Sequence, residues 1–351
     1  MKRICIVPQV SGVGGMVSFR AKFTAGLLAR GIQVSSDLEA RDYDAVLVIG
    51  GTRQLASLRR ARRRGVPVIQ RLNGMNWIQR RRRTGWRHFL RAETGNQLLQ
   101  WIRSRLATGI VYQSEFAWQW WERIFGPAPV PHRVVYNAVD LATYNPQAAA
   151  AGVPTYQRPA DHYRLLLVEG SLMGGYESGL ETAVALAELL NSQHRPALAG
   201  KPVELLVAGR VAETLLQSWA QRTTVPITWA GLVPPEDIPA LDRSAHLLYA
   251  ADINAACPNS VVEALACGLP VLAFATGALP ELVTEQAGRV VPYGGDPWRL
   301  DPPDVPALAR AGVELLTRQA AYRAGARQRA EAALGLDQMV AGYLAALSGE
   351  A

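Results

Sequence analysis

The sequence predicts an α/β protein of two domains, each a parallel sheet covered by helices. Three observations carry this. At 351 residues the chain is too long for one ordinary core and suits two. Short apolar runs alternate with helical periodicity in both halves, the order that builds strand–helix–strand units. Between the halves the composition loosens through Asn145-Pro146, a run of four alanines, Gly152, Pro154 and Pro159, which reads as a linker. The first domain then covers residues 1–155 and the second 160–335.

In chain order, residues 3–8 form an apolar strand, followed by a loop holding Gly12, Gly14 and Gly15 and a helical pattern over 16–30 that Gly31 ends. Strand, glycine loop and helix in that order open a Rossmann-like unit. The glycines either let backbone amides approach a phosphate at the helix N-terminus or simply make a tight turn. Residues 45–49 form the next strand. A basic helix with Arg53, Arg59, Arg60, Arg62, Arg63 and Arg64 follows, and Gly65 stops it. Strand 66–70 leads into Asn73-Gly74, strand 107–112 into Ser114, which caps the helix bearing Trp118, Trp120 and Trp121, and 134–136 closes the domain. In the second half, strands at 164–169, 203–209, 227–230, 247–250 and 271–274 alternate with helical segments. The first of these ends near Asn191, one long alanine-rich pattern runs over 305–334, and a final helix covers 338–347.

The chain carries a net charge of +8, unevenly spread. Residues 1–140 hold 23 Lys+Arg against 8 Asp+Glu, so the remainder is acidic. Arg80 to Arg83 are consecutive, and six of the nine tryptophans fall within 77–121. Basic residues among aromatics fit a solvated face over an aromatic core, a patch for an anionic membrane surface or lipid phosphate, or nucleic acid. No nucleic-acid-reading motif supports the last. The three cysteines give neither a disulfide framework nor a zinc spacing, which fits a reducing cytoplasm. No apolar run reaches membrane-spanning length, and the N-terminus lacks the pattern of a signal peptide.

The chemistry concentrates in residues 256–270, ACPNSVVEALACGLP. Pro258-Asn259-Ser260 reads as a loop ending in capping residues, 261–267 as a short helix of small apolar residues, Gly268 as its stop and Pro270 as the entry to a strand. Glu263 sits mid-helix. A carboxylate in such a setting needs partners: backbone amides or an arginine in a structural role, or a pair of sugar hydroxyls.

This stretch resembles the nucleotide-sugar motif of retaining glycosyltransferases of family 4 (glycosyl transferases group 1). Thr276-Gly-Ala-Leu-Pro-Glu281 resembles the turn that follows it there, and Asn137-Ala-Val-Asp140 resembles the signature near that family's domain junction. The resemblance implies a GT-B fold, two facing Rossmann-like domains with parallel sheets and an interdomain cleft, with helix 336–351 packing back on the first domain. It implies transfer of a hexose from a nucleotide diphosphate sugar to a hydroxyl acceptor, with retention and no bound metal or other cofactor. Glu263 would hold the donor ribose. Asn259, Ser260, Gly174, Gly175 and Arg210 would attend the diphosphate, Val233 the base, and Asn73, Gly14 and Gly15 the reacting centre. The implied role is cell-envelope glycan or glycolipid synthesis in the cytoplasm or at the inner membrane face, on a lipid-linked or anionic acceptor.

The sequence departs from the family pattern in three places. Asn73-Gly74 stands where many members of the family have His-Gly or His-Asp, and asparagine cannot act as a base. The loop 170–177 lacks the cation that grips the diphosphate; Arg210 is either its substitute or an exposed arginine. Ala255 stands where an acid is usual, eight residues before Glu263, with Asp252 nearby. These departures leave open a non-catalytic nucleotide-sugar or glycan-binding relative, and the arginine patch leaves open a polyanion- or membrane-binding protein.

Overall fold

The computed structural model describes residues 1–12, 14–82, 85–147, 156–172 and 177–349. The chain divides into two compact units, residues 1–140 with 335–351 and residues 141–334. In the first unit the elements run β1 (Arg3–Val7), α1 (Gly15–Leu28), β2 (Gln33–Ser35), β3 (Ala45–Ile49), α2 (Leu55–Arg63), β4 (Val68–Leu72), α3 (Trp86–Arg105), β5 (Gly109–Tyr112), α4 (Glu115–Phe125) and β6 (His132–Val134). The strands pair in parallel in the order β2-β1-β3-β4-β5-β6. Because successive side chains point to opposite faces, Ile4 and Ile6 enter one core while Cys5 and Val7 enter the other. Burial on both faces is what makes these strands read as unbroken apolar runs.

The second unit contains β7 (Tyr163–Ser171), α5 (Glu177–Ser192), β8 (Val203–Arg210), α6 (Glu213–Arg222), β9 (Ile227–Gly231), α7 (Ile238–Ser244), β10 (Leu247–Ala250), α8 (Asn259–Ala266), β11 (Val271–Phe274), the single turn α9 (Leu279–Leu282), β12 (Gly288–Val291), α10 (Val305–Thr317) and α11 (Gln319–Ala333). Its parallel sheet has the order β12-β11-β10-β7-β8-β9. Leu165, Leu167, Leu205, Val207 and Leu247 pack beneath α5 and α10.

After the second unit the chain returns to the first as α12 (Leu336–Ser348). Tyr343 meets Phe19 and Phe23 of α1 at ring distances of 5.0 and 5.1 Å, and the Leu336 amide donates to the Val139 carbonyl at 2.9 Å.

Several sequence-derived boundaries shift. Strand β2 was not anticipated: its three residues, Gln33-Val34-Ser35, are too few for an alternation to be read. Strand β4 covers 68–72 rather than 66–70, since Pro67 cannot donate to a ladder and the pairing with β3 begins at Val46 opposite Val68. Strand β6 covers 132–134 rather than 134–136, because its register with β5 begins at Ile110 opposite His132. The helical stretch 305–334 is two helices, broken at Arg318 with ψ near 33°. Ser114 does cap α4, accepting from the Ala117 amide at 3.0 Å.

One buried histidine gives the second unit a predicted acid limit. His246 Nδ1 accepts from the Arg164 amide at 3.0 Å, and burial, with the charges of Arg158, Arg323 and Arg164 around it, holds its pKa down to about 3. The folded state keeps this ring neutral while the unfolded chain protonates it below about pH 6.5. The stability it contributes is therefore complete above pH 6.5 and is lost as pH falls toward 3, at up to about 1.4 kcal/mol per pH unit. Melting temperatures should fall across that window, and His246→Asn, which keeps an acceptor but cannot charge, should flatten the fall.

Candidate active site

A parallel sheet sends every strand-to-helix loop out of the same edge, and ligands favour that edge where the strand order reverses. In the second unit the reversal lies between β7 and β10. The edge carries the loop after β7, Arg210 at the end of β8, Val233 between β9 and α7, the loop after β10 and the first turn of α8. Gly174 and Gly175 lie outside the described residues. Arg210 is exposed, and no hydrogen bond or ion pair to its guanidinium is found among the described residues. Val233 is half-buried beside the exposed Leu232.

Helix α8 begins two residues earlier than the sequence suggests. Pro258 is its N-cap, and Asn259 and Ser260 are its first helical residues, with no side-chain capping bond from position 258. The reading of Asn259-Ser260 as a capping loop is thus corrected: both stand where helix amides lack intrahelical acceptors. Val261, Val262, Ala264, Leu265 and Ala266 are buried, and Glu263 is the one half-buried position among them. Its charge reaches three buried neighbours, helping to push up the pKa values of Asp242, Tyr144 and Cys267, for all of which burial is the larger cause.

The turn Thr276–Glu281 is seated on the loop before α8. The Ala278 amide donates to the Ala255 carbonyl at 2.8 Å. Gly277 has φ +59°, and a Cβ there would sit 2.5 Å from both the nitrogen and the oxygen of Ala255. The position that lacks an acid is therefore fixed by its backbone against the motif's own following turn.

An acidic pair occupies the switch point instead. Glu169, near the end of β7, has a pKa raised well above the carboxylate range by burial and then by the charge of Asp252; burial likewise raises Asp252, beyond β10. Parallel pairing of β7 with β10 brings together two carboxyls 83 positions apart. Sequence reasoning named Asp252 but passed over Glu169, whose signal was an acid ending an apolar strand just before a glycine loop.

In the first unit, Gly14 is the N-cap of α1, Gly15 its first residue, and Asn73 follows β4. Two strand spacings, about 10 Å, separate β1 from β4 across β3. Asn73 is half-buried, and its carbonyl accepts from the Trp121 indole at 2.7 Å. Beside it Arg71 is buried at 2% exposure. Its Nη2 donates to Asn137 Oδ1 at 2.8 Å, its guanidinium lies 3.9 Å from the Phe19 ring centre, and Gln113, with its amide oriented to suit both groups, accepts from both Nη atoms at 3.0 Å. The asparagine of Asn137-Ala-Val-Asp140 therefore clamps a buried arginine. A cation inside an apolar strand was the available signal for Arg71. One Asp-x-Asp spacing, Asp42-Tyr43-Asp44, is consumed structurally: Asp44 accepts from the Arg3 amide at 2.9 Å and Asp42 pairs with the Arg3 side chain.

Residues 171–318 match the family model described as glycosyl transferases group 1, so this part of the second unit carries such a domain. Among curated proteins, D-inositol 3-phosphate glycosyltransferase of Salinispora arenicola (strain CNS-205) is 30% identical over 186 residues, 48% of this chain and 40% of that protein; the match thus spans well under half of the relative. Among solved structures, sucrose-phosphate synthase from Thermosynechococcus elongatus superposes with a TM-score of 0.73 at 16% identity, covering 98% of this chain and 97% of that one. WaaG, a glycosyltransferase involved in lipopolysaccharide biosynthesis, gives 0.69 at 13% identity over 98% of both chains. Anabaena HepE in complex with UDP and glucose gives 0.66 at 16% identity, over 99% of this chain and 100% of that one. The fold is thus that of the GT-B glycosyltransferases: α/β, with two parallel six-stranded sheets.

Proposed function

We propose that this protein is a retaining glycosyltransferase that moves a hexose from a nucleotide diphosphate sugar to a hydroxyl acceptor. One observation carries the reading. The segment matching glycosyl transferases group 1 contains the motif 257–271, folded as loop, helix and strand at the ligand-binding edge, with Glu263 as the half-buried carboxylate in an otherwise buried run of helix. Glu263 would accept from two ribose hydroxyls. The first-turn amides at Asn259 and Ser260, with Arg210 and the Gly174-Gly175 loop, would bind the diphosphate. Val233 would meet the base. Asn73, Gly14 and Gly15 would attend the reacting sugar, and no bound metal or other cofactor is part of this reading. The UDP and UDP-glucose named with HepE favour a UDP-sugar among donors.

The acceptor class we assign is a lipid-linked or anionic hydroxyl compound of envelope glycan or glycolipid synthesis, with the protein cytoplasmic and peripheral on an anionic membrane. No helix among the described residues is long and apolar enough to cross one. Incubation with labelled UDP- and GDP-sugars tests the activity. Slow release of free sugar, first formed as the donor's own anomer, is expected; binding without any release would indicate a non-catalytic relative.

The acidic pair predicts a pH effect. Glu169 and Asp252 hold their protons above the usual carboxylate range, so rising pH adds negative charge beside the diphosphate loop. Donor affinity should weaken as pH rises, and Glu169→Gln should flatten that profile in calorimetric titrations.

A further inference from the structure

We infer that the outward face of α3, together with the arginine groove beside it, is a docking surface for an anionic lipid bilayer. Four tryptophans of the basic half fall at the two extremes of exposure, while Trp77 and Trp118 are half-buried. Trp120 and Trp121 of α4 are core residues, while Trp86 and Trp101 of α3 are 69% and 43% exposed. Trp86, Phe89, Leu90 and Trp101 are all exposed, and at 100° per residue they fall within an arc of about 120°. Four polar residues share that arc: Gln97, which is exposed, and Glu93, Gln100 and Ser104, which are half-buried. Outside that arc the helix buries Ala92, Asn96, Ile102 and Arg103. A helix packed in water normally shows a polar outer face; this one sets four large apolar side chains along about 22 Å of its outer face.

The flanks are cationic. Arg87, Arg91 and Arg105 are exposed along α3. At its C-terminal end Trp101 lines a groove of about 390 Å³ with Leu55, Ala56, Arg59, Arg60 and Arg63 of α2. Residues 45–114 contain fifteen arginines and a single acid, Glu93, which is engaged by Arg80 at 2.6 Å.

That imbalance selects the occupant. A second copy would set arginine against arginine, which charge repulsion disfavours. Nucleic acid would match the arginines but leave Phe89 and Leu90 without apolar contacts. A bilayer with anionic headgroups takes both: tryptophan and arginine suit the headgroup layer, leucine and phenylalanine the acyl boundary beneath it, and Gln97 can keep its amide among the headgroups. The inference deepens the peripheral-membrane reading above and is independent of donor chemistry, since the surface itself belongs to α2 and α3.

Vesicle co-sedimentation of the whole protein tests it, using phosphatidylcholine alone and phosphatidylcholine with 30% phosphatidylglycerol. Binding to the anionic vesicles only is expected, with a blue shift of tryptophan emission and weakening in high salt. Trp86→Ala/Leu90→Ala and Arg59→Glu/Arg63→Glu should each lower the partition at least tenfold while circular dichroism, melting temperature and nucleotide-sugar hydrolysis stay as in the parent. No binding to anionic vesicles, or unchanged binding in both variants, would overturn the inference. So would tighter capture of a single-stranded oligonucleotide than of vesicles, or a dimer in light scattering that Trp86→Ala/Leu90→Ala dissociates. Loss of hydrolysis with vesicle binding intact would instead count against the proposed activity alone.

Discussion

Glu263→Ala is expected to weaken nucleotide-sugar binding by about 100-fold without unfolding the protein. Two hydrogen bonds from ribose hydroxyls to an ionised carboxylate contribute roughly 1.5–3 kcal/mol each when solvent is excluded. Losing most of one pair's worth, about 2.7 kcal/mol, is a factor of about 100 in affinity. The fold should tolerate the change, because Glu263 is half-buried and its truncation leaves the buried residues of α8 on either side of it in place. Glu263→Gln keeps the shape and one acceptor oxygen, so a loss of about tenfold is expected. Calorimetry with the parent and both variants reads this order directly, and equal affinities across the three would refute the role.

Gly209→Ala should cost about 3 kcal/mol or more in stability. Gly209 is buried at the end of β8 with φ +146°, a backbone region essentially restricted to glycine, and a Cβ there would overlap the carbonyl oxygen of Glu169. Neither clash partner is a flexible side chain: both are backbone, held by the β7–β8 ladder, whose register shifts just here between Val168 and Ser171. The relief available is to push apart the ends of β7 and β8, moving Glu169, Ser171 and Arg210 together. A drop of about 10 °C in melting temperature is expected, with donor affinity reduced alongside. A shift under about 2 °C would contradict this account of the strand junction.

Much of the fold was legible in the sequence for one physical reason. Strands buried on both faces appear as short apolar runs bounded by turn residues, and β3, β10 and β11 were read with the bounds they have. The three residues of β2, with Val34 their single apolar side chain, carry no such signal. The break between α10 and α11 is hidden in a continuous alanine-rich pattern, because Arg318 can continue a helix as readily as interrupt one. At the candidate site, the motif around Glu263 was visible because its residues are consecutive. The pairing of Glu169 with Asp252 was not, because it exists only once β10 inserts beside β7. Arg71 shows the same limit: its partners Phe19, Gln113 and Asn137 come from three distant segments, and a sequence offers no means of joining them. The tryptophans of α3 and α4 could not be sorted into core and surface until the orientation of each helix was known.

The central claim is that the carboxylate of Glu263 holds the ribose of a sugar nucleotide, and a crystal structure of the protein soaked with UDP-glucose or GDP-mannose tests it most directly. The account predicts the two ribose hydroxyls at about 2.7 Å from the Glu263 carboxylate, with the diphosphate near the first turn of α8. A nucleotide bound with its ribose elsewhere, or a Glu263 carboxylate engaged only by protein groups in the donor complex, would contradict it.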